Sequence, residues 1–131
     1  MRKGGILNPN ICKSIATLGH TQYLVIADPG LPIPENVHVI DISLKKGIPS
    51  FIEVLTAVKE ELVIESYIFA MEMEDVNHSL FDGMDALLNE VPSQKVPHED
   101  LKKLIQNASV VIRTGECSSY ANIILVGGVN F

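Results

Sequence analysis

The chain has 131 residues, of which 47% are hydrophobic and 20% charged, and its mean hydropathy is +0.24. We expect one domain over residues 1–131, because single cores commonly contain about 100 to 150 residues. The net charge of −6 and the lack of any Lys/Arg cluster exclude nucleic acid as a partner. No run reaches the roughly 18 apolar residues of a membrane span, so the surplus apolar surface indicates a subunit interface.

The first half of the chain alternates between predicted helices and strands. "NPNICKSIATLG" predicts a helix with Asn8 as its N-cap and Pro9 in its first turn. "YLVIAD" predicts a continuous buried strand, and the three prolines of "DPGLPIPEN" predict a stiff loop. "VHVIDI" predicts a second strand. "SFIEVLTAVKEEL" predicts a helix that opens with a capping box of Ser50 and Glu53.

The second half continues the same alternation. "ESYIFAMEM" predicts a third strand, and "NHSLFDGMDALLNE" and "HEDLKKLIQN" predict two amphipathic helices. "ASVVIRT" and "IILVGGV" predict two further strands, which the loop "GECSSYAN" joins. This order predicts a layered α/β domain with a sheet of about six strands.

The two cysteines and the amino terminus bear on the cellular setting. Cys12 and Cys117 lie far apart and lack the spacing of a metal or redox motif, which argues against zinc and against a disulfide framework. The opening "MRKGGILNPN" lacks the apolar core of a signal peptide, so we expect a cytoplasmic protein.

The residues with useful chemistry stand at predicted strand ends or in loops. Phosphate-loop, dinucleotide, metalloprotease and nucleophile-elbow motifs are all missing. The groups that remain are imidazole, carboxylate, phenol and amide, which bind hydroxyls and transfer protons without a cofactor. They belong to His20, Asp28, His98, Glu116, Tyr120 and Asn122.

Four of these residues also have a plain structural interpretation, which the sequence leaves open. His20 follows a predicted helix end and is placed to cap it. Asp28 precedes Pro29 and Gly30 and is typical of a turn. His98 flanks a predicted helix start, and Tyr120 has the character of a core aromatic.

Longer stretches resemble a known family. "GILNPNI", "LGHTQYLVIADPGLPIP", "HEDLKKL" and "VIRTGECSSYANIILVGGVNF" resemble the D-ribose pyranase family, which is related to the fucose mutarotases. The likeness runs from the amino terminus to the last residue, and the order of the pieces is specific as a set. "GLPIP" is similar to the ribose branch. The resemblance implies a three-layer α/β/α fold with a mixed sheet.

The resemblance also implies roles for individual residues. His20 corresponds to the catalytic proton donor of the family. The positions that correspond to sugar binding are Asp28, His98, Tyr120, Ala121 and Asn122. No metal or other cofactor is implied, and the family assembles as a ring-shaped homodecamer whose active sites lie where subunits meet.

These implications lead to one interpretation and two alternatives. We interpret the chain as an isomerase that interconverts ribopyranose and ribofuranose and supplies a kinase that uses the furanose. A fucose-type mutarotase and a non-catalytic sugar-binding oligomer are the alternatives. We further expect the Pro-rich loop to curl Asp28 back toward the pocket, and the segment "SSYANIILVGGVNF" to pack at a subunit boundary and complete a neighbour's pocket.

Overall fold

The computed structural model describes residues 1–131, which form six strands, five α-helices and a short 3-10 helix. The helices are α1 (Pro9–Thr17), α2 (Phe51–Glu61), α3 (Met71–Val76), α4 (His78–Leu87) and α5 (His98–Leu104), and the 3-10 helix is Ile105–Asn107. The strands are β1 (Tyr23–Ala27), β2 (Val39–Asp41), β3 (Ile64–Ala70), β4 (Ser93–Val96), β5 (Ala108–Arg113) and β6 (Ile123–Gly127). None of the helices is long and apolar enough to cross a membrane.

All six strands belong to one mixed sheet, in the order β2-β5-β1-β6-β3-β4. β6 is antiparallel to both of its neighbours, β1 and β3, and every other pair is parallel. The carboxyl ends of five strands and the amino end of β6 therefore lie on the same side of the sheet. We call this side the carboxyl edge and the opposite side the amino edge, and neither term refers to the outermost strands β2 and β4.

Helices cover both faces of the sheet, as the three-layer prediction requires. Alternate residues of β1 point to opposite faces, because side chains in a strand have a period of two. Leu24 and Ile26 belong to a core of 19 buried residues that also includes side chains from α1 to α4. Val25 belongs to a smaller core of 11 residues, beneath α5 and the loop that follows β1.

The predicted helix starts of α1 and α2 are confirmed in detail. The side chain of Asn8 accepts hydrogen bonds from the backbone N–H groups of Asn10 and Ile11. Ser50 and Glu53 form a reciprocal capping box, in which each side chain accepts from the other residue's backbone N–H. Such caps satisfy amides that the first turn leaves without partners.

Two sequence predictions about the middle of the chain are wrong. The predicted strand "ESYIFAMEM" ends at Ala70, and its last three residues open α3 instead. β4 was not predicted at all. Its residues Ser93, Gln94 and Lys95 are polar and exposed, as suits a strand at the edge of a sheet, so the sequence shows no apolar alternation there.

The carboxyl-terminal segment, which is predicted to pack at a subunit boundary, contains a central strand. β6 lies in the centre of the sheet between β1 and β3, and Ile124 is fully buried within this chain. Val129 and Phe131 are the large apolar side chains of this segment that remain exposed. The boundary role stays a prediction, and it falls on the residues before and after β6 rather than on β6 itself.

Candidate active site

Asp28 and Asn122 meet at the carboxyl edge through two hydrogen bonds. Asp28 follows β1 and Asn122 precedes the antiparallel β6, so the strand pairing brings them side by side. The backbone N–H of Asp28 donates to Oδ1 of Asn122, and Nδ2 of Asn122 donates to Oδ2 of Asp28, each over 2.9 Å. The other carboxylate oxygen of Asp28 accepts from the N–H of Gly30 at 2.9 Å. Asp28 is thus a turn former, and its carboxylate is held in a fixed orientation.

His98 and Tyr120 lie at the same edge, with their rings in edge-to-face contact. The ring centroids are 5.1 Å apart and the planes meet at 78°. Nδ1 of His98 is buried and has no hydrogen-bond partner in the chain. Tyr120 has φ +58°, a left-handed conformation that non-glycine residues adopt mainly at turns and functional sites.

These side chains enclose a small cavity at the carboxyl edge. The cavity has a volume of about 340 Å³, near the lower end of the range for small-molecule sites, which is roughly 300 to 1,000 Å³. Its wall includes Asp28, Gly30, Leu31, Pro32, His98 and Tyr120. We call the group of Asp28, His98, Tyr120 and Asn122 the carboxyl half-site. Ala121 lies between two of its members, but the whole residue is buried in the larger core and does not line the cavity.

Thr114 and Glu116, which follow β5, support this half-site without lining the cavity. The Thr114 hydroxyl is buried, donates to the carbonyl of Ala27 over 2.9 Å and accepts from the N–H of Glu116 over 3.1 Å. The Glu116 carboxylate accepts hydrogen bonds from the N–H of Phe51 and from both the N–H and the hydroxyl of Ser118. Partial burial acts to raise the pKa of Glu116, but these hydrogen bonds outweigh it and lower the pKa. Glu116 therefore serves as a charged anchor for the loop.

A second cavity, of about 430 Å³, adjoins the first. It shares Asp28 and Gly30 with the first cavity and is also lined by Lys46 and Cys117. The hairpin that carries Lys46 lies directly against Gly115, where a Cβ atom would come within 2.6 Å of the carbonyl oxygen of Lys45. A glycine is required for this close approach.

His20 lies at the amino edge, away from the residues described so far. Nε2 of its half-exposed side chain is 2.8 Å from Oε1 of Glu65, at the start of β3. Because a carboxylate only accepts hydrogen bonds, the Nε2 proton is donated to Glu65. The backbone of Leu18, not the side chain of His20, makes the capping hydrogen bond at the end of α1. We call His20 and Glu65 the amino half-site.

The Pro-rich loop places Asp28 at the cavity of the carboxyl half-site, but not beside His20 of the same chain. The five residues of β1 separate the two, and a strand of that length spans about 17 Å. His20 instead lines a separate cleft of about 390 Å³, together with Glu61, Val63, Val129 and Phe131. One chain therefore presents two incomplete sites at opposite edges of its sheet.

Sequence reasoning missed three polar residues that contact the half-sites. Glu65 binds His20, as described above. The carboxylate of Glu72 accepts from the backbone N–H of His98, and the amide of Asn77 donates to the carbonyl of Ser119. All three lie between Glu60 and Pro97, where the sequence offers no motif. The pairing of β3 with β4 is the signal that would have placed Glu72 beside His98. No three His, Cys, Asp or Glu side chains converge as a metal-binding group.

Comparison with known proteins identifies the family. The RbsD / FucU transport protein family matches residues 1–130. The chain belongs to this family. Within it, a D-ribose pyranase of Geobacillus kaustophilus is 50% identical over 131 residues, which covers the whole chain and 96% of that relative.

Two solved structures of the RbsD / FucU family extend the comparison. Bacillus subtilis RbsD complexed with D-ribose has a TM-score of 0.97 and 44% identity, with both chains covered completely. The fucose mutarotase of Streptococcus pneumoniae in complex with L-fucose has a TM-score of 0.81 and 22% identity over 95% of each chain. The first match confirms the predicted family and fold, and the second is a likeness of fold alone.

Proposed function

We propose that this chain is a D-ribose pyranase, an isomerase that interconverts the pyranose and furanose forms of D-ribose. The observation that carries the proposal is the full-length similarity to an RbsD structure that contains D-ribose. Relatives that are 50% and 48% identical over the whole chain are also named D-ribose pyranase. The fucose mutarotase alternative has less support, because that likeness is lower in both identity and TM-score.

The reaction needs only proton transfer. A cyclic sugar is a hemiacetal, so ring opening removes the proton of the anomeric hydroxyl and adds a proton to the ring oxygen. The open aldehyde then closes through a different hydroxyl. Imidazole suits this task, because its unperturbed pKa of about 6.5 allows it to give or take a proton near neutral pH.

The carboxyl half-site supplies groups that fit a sugar. The fixed carboxylate of Asp28 accepts hydrogen bonds from hydroxyls, and the buried Nδ1 of His98 lacks a partner within the chain. Tyr120 offers both a hydroxyl and a ring face. Asn122 holds Asp28, and the buried Ala121 joins Tyr120 to Asn122. We assign these five residues to substrate binding.

We assign the proton donor role to His20, supplied by a neighbouring copy of the chain. The two half-sites lie at opposite edges of the sheet, so one chain cannot bring both to the same sugar. If the amino half-site of one copy meets the carboxyl half-site of the next, the contact joins two different surfaces. Contacts of this kind form rings when the rotation between copies closes, as in the homodecamer that the family resemblance implies.

Exchange spectroscopy tests the proposal directly. Saturation-transfer NMR of D-ribose, with and without the protein, measures the exchange between the pyranose and furanose signals. We expect the protein to accelerate this exchange for D-ribose. Acceleration of anomer exchange for L-fucose alone supports the mutarotase alternative, and ribose binding with unchanged exchange supports the non-catalytic oligomer.

Three wider aspects of the proposal rest on the sequence. We assign residues 1–131 to one domain and place the protein in the cytoplasm. We also assign its product to a kinase that phosphorylates the furanose. A coupled assay with a furanose-specific kinase checks this assignment. When the supply of furanose limits the kinase, the protein should raise the rate of phosphorylation.

A further inference from the structure

We propose that Glu72 and Asn77, at the two ends of α3, are positioning residues that set the distance between His98 and Tyr120. We call this pair the α3 clamp. The inference rests on the proposed function in one respect, namely that His98 and Tyr120 bind the sugar. It assigns to α3 a role in substrate affinity that is separate from proton transfer.

Glu72 holds the first residue of α5. The backbone N–H of His98 donates to both carboxylate oxygens of Glu72, over 2.9 and 3.2 Å. The N-cap position of α5 is Pro97, whose side chain makes no capping hydrogen bond. Glu72 therefore replaces the missing cap from another element. Hydrogen bonds to a charged acceptor are stronger than neutral ones, so this contact fixes His98 firmly.

The strand register explains why these two residues meet. β3 and β4 are parallel, and Ala70 lies opposite Val96 at the carboxyl edge. Glu72 and His98 each follow two residues after that pair. The pairing of β4 with β3 thus places His98 next to Glu72, although the two residues are 26 positions apart in the sequence.

Asn77 holds the other wall of the cavity. Its side-chain Nδ2 donates to the carbonyl oxygen of Ser119 over 2.8 Å. The next residue, Tyr120, has the left-handed backbone conformation, which persists only where neighbouring contacts maintain it. The Asn77 hydrogen bond is one such contact. Its loss would free the loop to move the Tyr120 ring away from His98.

α3 itself is anchored between the two contacts. Met73 is fully buried in the larger core, and the backbone N–H of Asn77 donates to the Met73 carbonyl over 2.9 Å. Glu74, on the same helix, forms an ion pair with Lys95 and so ties α3 to β4, the strand that carries His98. Asp75 is the third acidic residue of the helix, and its exposed side chain makes no hydrogen bond or ion pair, so Asp75 provides the control.

The clamp predicts a particular pattern in the kinetics. The proposed proton donor, His20, comes from a neighbouring copy of the chain, whereas the clamp contacts only the residues that carry His98 and Tyr120. Changes in the clamp therefore leave the donor in place and alter how the sugar is held. We expect Glu72→Ala to raise KM for D-ribose about tenfold, because it removes a charge-assisted hydrogen bond, while kcat changes much less. Glu72→Gln keeps one acceptor oxygen and should recover part of the affinity. Asn77→Ala should raise KM in the same direction.

The experiment compares these three variants with Asp75→Asn and with His98→Ala. Exchange NMR gives kcat and KM, thermal unfolding reports stability, and the side-chain NMR signals of the His98 ring report its position. The clamp requires a raised KM and displaced His98 signals in the Glu72 variants, with both readouts unchanged in Asp75→Asn. If Glu72→Ala does not fold, Glu72→Gln supplies the same two readouts.

The two levels of proposal fail in different ways. If His98→Ala leaves the KM for ribose unchanged, the carboxyl half-site is wrong. If His98→Ala raises KM but the Glu72 variants match Asp75→Asn in both KM and His98 signals, the clamp alone is wrong. A Glu72 variant that loses stability with an unchanged KM also overturns the clamp, because the residue would then be purely structural.

Discussion

Asn122 holds Asp28 through two hydrogen bonds: its amide oxygen accepts from the backbone N–H of Asp28, and its amide nitrogen donates to the Asp28 carboxylate. The amide is only 1% exposed, so water cannot replace either hydrogen bond. A nearly isosteric carboxylate at position 122 would keep the acceptor but lose the donor. It would also place a second negative charge beside Asp28.

Asn122→Asp should therefore reduce both stability and ribose binding. We expect the free energy of unfolding to fall by about 1–3 kcal/mol, the usual cost of leaving a buried polar group without its partner. Urea denaturation and ribose titration measure the two effects. Asn36→Asp, in an exposed loop, controls for the added charge. Wild-type affinity in Asn122→Asp would remove Asp28 from the binding model.

His20→Ala should lower the ring-exchange rate by roughly 10²- to 10⁴-fold, the usual contribution of general acid–base catalysis. Ribose binding should weaken much less, because the sugar is held by the carboxyl half-site. Saturation-transfer NMR measures the rate, and His78→Ala is the control because this exposed histidine lies outside both half-sites. A His20→Ala protein with the wild-type rate would leave His20 without a catalytic role.

Mixed oligomers test whether the half-sites come from different chains. His20→Ala and Asp28→Ala should each be inactive as pure proteins, but co-assembly of the two should restore activity. About one interface in four of a random mixture joins an intact His20 to an intact Asp28, so roughly a quarter of wild-type activity is expected. Exchange NMR on co-expressed and separately purified variants makes the comparison. A mixture with no recovered activity would mean that each chain uses its own residues.

Glu116 should contribute stability that depends on pH. Its pKa is lowered below the ordinary value of 4.5 in the folded chain, despite partial burial, by hydrogen bonds from Phe51 and Ser118. A depressed pKa adds stability that is fully present above about pH 4.5 and is lost as pH falls through the folded-state value.

Wild type should thus be more stable than Glu116→Gln at pH 7, and the difference should shrink below pH 4.5. Urea denaturation across this range measures it, with Glu90→Gln at an exposed position as the control. A difference that stays constant down to pH 3 would contradict the assignment.

Activity should survive exhaustive dialysis against a metal chelator, because the proposed chemistry moves only protons between side chains and the sugar. The exchange rate before and after dialysis is the measurement. If activity is lost and a divalent ion restores it, Asp28 and His98 must be reconsidered as metal ligands.

The sequence predicts most of the fold because its signals are local. The caps at Asn8 and Ser50 and the apolar run of β1 each depend on residues close together in the chain. β4 escapes prediction because an exposed edge strand needs few apolar residues. α3 escapes because its residues "MEM" continue the pattern of the preceding strand.

The site is less predictable than the fold because it depends on distances between elements. Family resemblance selects His20 and Asp28, yet only the direction of β1 reveals that they lie at opposite edges. Glu72 carries no signal of its own until β3 and β4 are paired in register. Motifs therefore identify the groups that do chemistry more readily than the residues that hold them.

The place of β4 at the edge of the sheet has a consequence for how the protein responds to its ligand. This four-residue exposed strand is paired only with β3, and it carries His98 two residues beyond its end. Strands of this kind open locally at a much lower free energy than global unfolding requires. Under the proposed role of His98 in binding, an opening that withdraws His98 makes the apparent dissociation constant for the sugar equal to the intrinsic constant divided by the fraction of molecules in which β4 is closed. Bound sugar should in turn slow the exchange of the β4 amide hydrogens, which makes this exposed strand a reporter of occupancy.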